Sequence, residues 1–281
     1  MADIKLSAFA DEYATATDDQ IRGLGELGIK YIEVRQLDGK NISNMSQSEV
    51  NEVKKQFDDA GLSVSAVGSP LGKIRLDGDL DAHMEKAKRV FEAANILDTR
   101  YVRMFSFYAP EGKNIVDMKD QVVDTLGEML RIAKQHGVVL CHENEAKIYG
   151  DTPARCRELL DIFGGELKCV FDMGNFVLEG VDAYPEAYEL LREYIAYFHI
   201  KDALAAGAVV PPGCGDAKIK QILDAQREYA KDDFFVSLEP HLQTFSGLHA
   251  LVGREFGNPY KYPDAKTAFR DAVQKFRELA F

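Results

Sequence analysis

Residues 137–175 read GVVLCHENEAKIYGDTPARCRELLDIFGGELKCVFDMGN, and they hold one complete repeat of the pattern that decides the fold. An apolar run, 137–142, leads into Glu143. An amphipathic run, 153–163, follows, and a second apolar run, 167–171, leads into Asp172. Short apolar runs bounded by turn residues predict buried strands, and the helically spaced stripe between them predicts a helix. Strand, helix, strand at this spacing implies parallel pairing through a right-handed crossover.

The same unit recurs in both directions. Strands are predicted over 4–10, 31–35, 62–67, 101–105, 137–142, 167–171, 196–200 and 234–238. Helices are predicted over 17–27, 46–60, 80–94, 116–135, 153–163, 183–194, 217–229 and 262–279. Ile21, Leu24 and Leu27 form one apolar stripe, and Val50, Val53 and Phe57 another. Ser46 followed by Glu49 is a capping box, and Gly28, Gly61 and Gly137 stand where left-handed caps are wanted. Eight alternating pairs close into an α/β (β/α)8 TIM barrel, with residues 1–281 as a single domain. The rival is a doubly wound sheet. Its dinucleotide fingerprint is literally present in Gly23-Leu24-Gly25-Glu26-Leu27-Gly28. That motif must follow a strand and open a helix. Here it closes a helix and precedes a strand, so it reads as a glycine-rich helix end.

Composition narrows the classes further. The 281 residues are 46% hydrophobic and 28% charged, which excludes disordered and fibrous chains. The net charge of −12 disfavours a phosphate backbone as partner. Cys141, Cys156, Cys169 and Cys214 contain no Cys-x-x-Cys pair, which predicts reduced thiols and a cytoplasmic setting. No signal-peptide pattern opens the chain, no run is long enough to span a membrane, and the triplets beginning at Asn41 and Asn44 are expected to be chance glycosylation matches.

In a barrel, chemistry sits at the C-terminal ends of the strands. The first run leads to Asp11 and Glu12; the second carries Glu33 and Arg35; Ser69 and Lys73 follow the third, and Arg103 and Ser106 close the fourth. The last four runs end in Glu143, Asp172, His199 and Glu239. One carboxylate at a strand end normally meets solvent or caps a helix. Three carboxylates and an imidazole on four consecutive strands converge on one mouth, where like charges repel. A single divalent ion (Mn, Mg, Co or Zn) resolves that repulsion, and oxygen plus imidazole donors suit all four. Strand alternation sends Val139, Cys141, Val170, Tyr197 and Ser237 inward with these ligands. No His-Glu-x-x-His, Gly-x-Ser-x-Gly or Walker loop is present.

This pattern resembles the sugar isomerase/epimerase family of xylose-isomerase-like TIM barrels, which includes ketose 3-epimerases, hydroxypyruvate isomerase, inosose dehydratase and endonuclease IV. The resemblance spans the whole chain and is carried by His-Glu-Asn at Glu143, Phe-Asp-Met-Gly-Asn at Asp172, Phe-His-Ile-Lys-Asp at His199 and Leu-Glu-Pro-His at Glu239. The segment Pro211-Pro212-Gly213-Cys214-Gly215-Asp216 is similar to the family's glycine loop after strand seven. Two positions depart. Asn175 stands where epimerases and endonuclease IV have His, and Lys201-Asp202 stand where epimerases have Glu and Arg. Endonuclease IV needs three zinc ions and further histidines. His83, His136, His142, His199, His241 and His249 do not supply them at strand ends three and four.

The resemblance implies proton transfer next to a carbonyl on a small-molecule sugar or polyol-derived substrate. A metal at Glu143, Asp172, His199 and Glu239 stabilises an enediolate, and Glu143 and Glu239 serve as general base and acid. Proton return gives epimerisation or isomerisation; loss of hydroxide gives dehydration. Lys201 is expected to steady the developing anion, the alternative being a surface ion pair with Asp202. Substrate contacts are expected from His142, His241, Arg103, Asn175, Lys73 and Glu33. For Arg103 the alternative is a pair with Glu33, for Lys73 a solvated loop, and for His142 and His241 packing beside the ligands. Phe9, Phe105 and Phe107 are expected in the core or against a sugar face. A metal-dependent sugar-binding barrel without catalysis is the non-enzymatic alternative. A homodimer is expected from the family, and 248–261 is expected to be a lid or an interface.

Overall fold

The structure is a computed structural model that describes residues 2–243 and 259–281. Its centre is eight parallel strands: β1 (Ile4–Ala8), β2 (Tyr31–Val34), β3 (Ser63–Gly68), β4 (Tyr101–Met104), β5 (Val139–Glu143), β6 (Lys168–Asp172), β7 (Ile195–Ile200) and β8 (Phe234–Leu238). The hydrogen-bonded order is β1-β8-β7-β6-β5-β4-β3-β2. The two end strands, β1 and β2, lie side by side across the remaining seam. The result is the expected TIM barrel, with strand limits within two residues of those predicted.

Helices wrap the outside: α1 (Thr17–Glu26), α2 (Gln47–Asp59), α3 (Leu80–Ile96), α4 (Lys119–Gln135), α5 (Pro153–Ile162), α6 (Met173–Leu178), α7 (Tyr188–Leu191), α8 (Ile219–Tyr229) and α9 (Ala265–Ala280). The capping box forms: Glu49 N–H donates to Ser46 Oγ, and Ser46 N–H donates to Glu49 Oε2 at 2.7 Å. Gly28, Gly61 and Gly137 all take left-handed φ, near +64° to +69°. The glycine motif closes α1 as expected, and its Gly23 lies against the Tyr13 ring.

One helix is corrected. Residues 183–194 do not form a single helix: a wide turn, Ala183–Ala187, joins the short α7, and Tyr184 is extended (φ −147°, ψ 128°). Pro185 explains this, since the residue before a proline is pushed out of helical geometry. Unforeseen elements are α6 and two small hairpins, Gln36–Leu37 with Lys40–Asn41 and Asp202–Leu204 with Ala208–Val210.

Two apolar compartments result. The large one lies between the sheet's outer face and the helices. The small one plugs the barrel: Ala66, Cys141, Val170 and Tyr197, with Tyr101, Val139 and Phe235 against them. Of these, Val139, Cys141, Val170, Tyr197 and Phe235 are the alternation partners of the mouth ligands. Of the segment 248–261 expected to be a lid or an interface, residues 248–258, with His249 and Phe256, lie outside the described residues.

His83, on α3, adds a pH-sensitive contact. It is 7% exposed, and its Nε2 accepts the Gly72 N–H at 2.9 Å, which only an unprotonated nitrogen can do. Burial, then Lys86, hold its pKa down at about 4. The unfolded chain binds this proton near pH ~6.5, so the unfolded state gains protons first. The contribution is full above that pH and fades as pH falls towards 4, amounting to roughly 3 kcal/mol. His83→Gln, whose amide oxygen accepts the same N–H, is expected to flatten the fall in urea midpoint over this range. Equal slopes in both proteins would refute the assignment.

Candidate active site

Strand alternation and register build the mouth. His199 is in register with Asp172 on one side and Ser237 on the other, so the ligands of β6 and β7 stand level. Glu143 ends β5, and Glu239 follows β8. One donor atom from each of Glu143, Asp172, His199 and Glu239 lies within 4.8 Å of the others, and all four residues are buried. The structure therefore assembles the four residues expected to hold a metal.

The imidazole stands between carboxylates. His199 Nδ1 faces Glu143 Oε1 at 3.0 Å and Glu239 Oε2 at 3.5 Å. Its Nε2 meets Glu33 Oε2 at 3.1 Å, and Tyr197 donates its hydroxyl to Glu33 Oε1 at 3.0 Å. In metal sites a carboxylate behind a histidine fixes the ring's orientation and leaves the other nitrogen for the ion. Glu33, expected as a substrate contact, is instead fully enclosed and aligns His199. The Phe9 ring completes the packing, nearly perpendicular to the imidazole with 5.1 Å between ring centres.

Cations surround the carboxylates. Lys201 Nζ donates to Asp172 Oδ2 at 2.7 Å, Glu239 Oε2 at 3.1 Å and Asn175 Oδ1 at 3.1 Å. It is not a surface partner of Asp202. That carboxylate turns away to accept the backbone N–H groups of Ala203, Gly213, Gly215 and Ala217. Gly174 admits the lysine's close approach, because a Cβ there would lie 2.7 Å from the Lys201 carbonyl oxygen. Arg103 donates to Glu143 Oε2 at 3.0 Å and to the Gly68 carbonyl, and does not pair with Glu33. The Lys73 side chain is covered, its ammonium over the Phe105 ring at 4.3 Å and 3.2 Å from Glu145, so Lys73 itself is not the solvated group of its loop.

The remaining expectations divide. Asn175 joins the cluster, its side-chain amide donating to the Asn144 carbonyl at 2.9 Å and lying 3.4 Å from Glu143 Oε1. His241, in left-handed backbone (φ +48°), folds back to within 3.4 Å of Glu239 and Glu12. His142 does not join. It alternates with Glu143 and turns to the other face, where its Nε2 meets Ser106 Oγ at 2.9 Å. Sequence reasoning also undervalued Arg35, Asp11 and Glu12. Arg35 is fully buried and donates to Asp11, Glu12 and Glu239. The signal was available: Arg35 shares strand parity with Glu33.

Electrostatics follow from this crowding. Burial pushes Asp172 up to about 7 against the pull of Lys201, and pushes Glu12 up to about 8 against Arg35. Burial also acts on Glu143, but His199 and Arg103 outweigh it and hold it down at about 2. Glu239 is likewise held well below the usual carboxylate range, with Lys201 and His241 overcoming burial. His199 is raised to about 10, because Glu33 and Glu143 overcome its burial. Carboxylates that attract this much positive charge have the donor chemistry a divalent ion requires.

The sequence profile of the xylose isomerase-like TIM barrel family matches residues 21–279. The chain belongs to this family. Among curated proteins none matches by sequence. Solved structures of the same architecture include a probable 3-DHS dehydratase involved in petrobactin synthesis from Bacillus anthracis, at 18% identity and TM-score 0.75 over 97% of this chain and 98% of that one. A D-allulose 3-epimerase from Methylomonas sp., in complex with D-allulose, is 13% identical at TM-score 0.76 over 99% and 98%. A protein described as IOLI with a bound zinc atom is 19% identical at TM-score 0.73 over 98% of both chains. At such identities the likeness establishes the shared barrel. Among the described residues no helix is long and apolar enough to cross a membrane.

Proposed function

We propose that this chain is a divalent-metal-dependent isomerase or epimerase of a sugar or related hydroxy-carbonyl compound. The observation that carries the reading is the convergence of Glu143, Asp172, His199 and Glu239 at one buried mouth, with Glu33 aligning the imidazole. A divalent ion bound there, Mn, Mg, Co or Zn, supplies Lewis acidity to a substrate carbonyl and neighbouring hydroxyl. The chain's own residues do the rest. Glu143 and Glu239 act as the proton-transfer pair. Lys201 places an ammonium beside the negative charge that develops on the substrate oxygen. Arg103 and Arg35 hold the outer carboxylate oxygens, so each glutamate keeps a single orientation.

A dehydratase on the same site is the second reading. It is favoured by Asn175 and Lys201, which stand where epimerases carry their own substrate contacts. The test is metal content per chain, followed by a screen of ketoses, inososes and hydroxy-keto acids in deuterium oxide. Incorporation of deuterium at carbon next to a carbonyl supports the isomerase or epimerase. Appearance of an unsaturated or deoxygenated product supports the dehydratase. Binding without exchange leaves the non-catalytic barrel, about three zinc ions per chain revives the nuclease reading, and no metal after reconstitution ends the proposal.

Lys201→Met isolates the ammonium. With the metal loaded, kcat is expected to fall about 10²–10³-fold, the effect of losing one group that stabilises transition-state charge. Metal content is expected to stay at wild-type level, since the lysine is no donor to it. An unchanged kcat with raised KM would show that Lys201 only binds substrate.

A further inference from the structure

Glu12, Glu239 and His241 form a second buried group whose donor atoms lie within 4.8 Å of one another. It shares Glu239 with the four-residue group. Two donor sets joined by one carboxylate is the arrangement of a two-metal centre. In this chain, however, a cation is already there. Arg35 Nε and Nη2 donate to the two oxygens of Asp11 at 2.8 and 3.1 Å, Nη2 to Glu12 Oε1 at 3.1 Å, and Nη1 to Glu239 Oε1 at 2.6 Å. The guanidinium lies 4.3 Å from the Phe9 ring centre, and its side chain is fully enclosed.

We propose that Arg35 is a built-in second cation that holds this centre to one divalent ion. Three observations support it. The guanidinium touches three buried carboxylates at once. Glu12, Glu239 and His241 offer the donor types of the first group, carboxylates and an imidazole. Glu239 is divided between the two groups: Oε1 faces Arg35, and Oε2 faces Lys201 and His199. A planar guanidinium satisfies several carboxylate oxygens in fixed directions and never loses its charge. A second metal would have to displace it. The inference rests on the proposed metal reading of the four-residue group.

The experiment counts Mn²⁺ per chain by elemental mass spectrometry after equilibrium dialysis, and records the electron paramagnetic resonance spectrum of the same samples. Wild type is expected to hold one ion with an isolated Mn²⁺ signal, and Arg35→Lys likewise one. Arg35→Ala, expressed and purified with Mn²⁺ present, is expected to hold two ions with a spin-coupled signal. One ion in Arg35→Ala overturns the proposal and leaves the metal reading intact. No ion in wild type ends the metal reading itself. Should Arg35→Ala fail to fold, Arg35→Gln, which keeps hydrogen-bond donors and removes the charge, takes its place: two ions support the proposal and one overturns it, as do two ions in wild type at saturating Mn²⁺.

Discussion

Glu239→Gln is expected to lower kcat/KM by on the order of 10³-fold or more and to strip most of the bound metal, a loss in the range of general acid–base groups with ligand removal added. The reason is the number of groups that meet on this one carboxylate. Its Oε1 receives Arg35 at 2.6 Å and lies 3.4 Å from His241, while its Oε2 receives Lys201 at 3.1 Å and lies 3.5 Å from His199 Nδ1. A carboxamide keeps the shape but removes the charge, and it turns an N–H₂ toward groups that are themselves donors. The measurement pairs metal content with turnover or solvent deuterium exchange. A variant with wild-type metal content and activity within tenfold would remove Glu239 from both roles.

Asp202→Ala is expected to cost about 3 kcal/mol of folding stability, because buried amide groups left unsatisfied cost ~1–3 kcal/mol each and two of its four partners, Ala203 and Ala217, are fully buried. Asp202 is 1% exposed, and its two oxygens accept N–H bonds from Ala203, Gly213, Gly215 and Ala217 at 2.8–3.1 Å. These bonds tie the loop after β7 to the residue beside Lys201. Gly215 can approach because it has no Cβ, which would lie 2.3 Å from the carboxylate oxygen. The expected readout is a lower urea midpoint at unchanged slope. Asp202→Asn, which keeps one acceptor, should recover part of the loss. A midpoint within error of wild type would show that water replaces the carboxylate at no cost.

Much of this molecule was legible along the chain. Period-two alternation is a local property, so the strands were found to within two residues, and parity sent Glu143 inward with Val139 and Cys141. The same parity, applied consistently, would have turned His142 away and Arg35 toward the mouth. Local rules also caught the Ser46–Glu49 cap and the glycine caps. The range 183–194 overlooks Pro185, which pushes Tyr184 out of helical geometry.

What a sequence determines by itself is what neighbouring residues impose on one another: element type, facing and ends, and hence eight strands that deliver Glu143, Asp172, His199 and Glu239 to one rim. Partner choice across the barrel belongs to the tertiary structure. Arg35 binds Asp11 and Glu239, which lie 24 and 204 positions away. Lys201 selects Asp172, Asn175 and Glu239 and leaves its neighbour Asp202 to the loop. Glu33 aligns His199 from 166 positions away. A buried charge takes whichever opposite charge the closed sheet brings within hydrogen-bond reach, and that distance exists only once the barrel has formed.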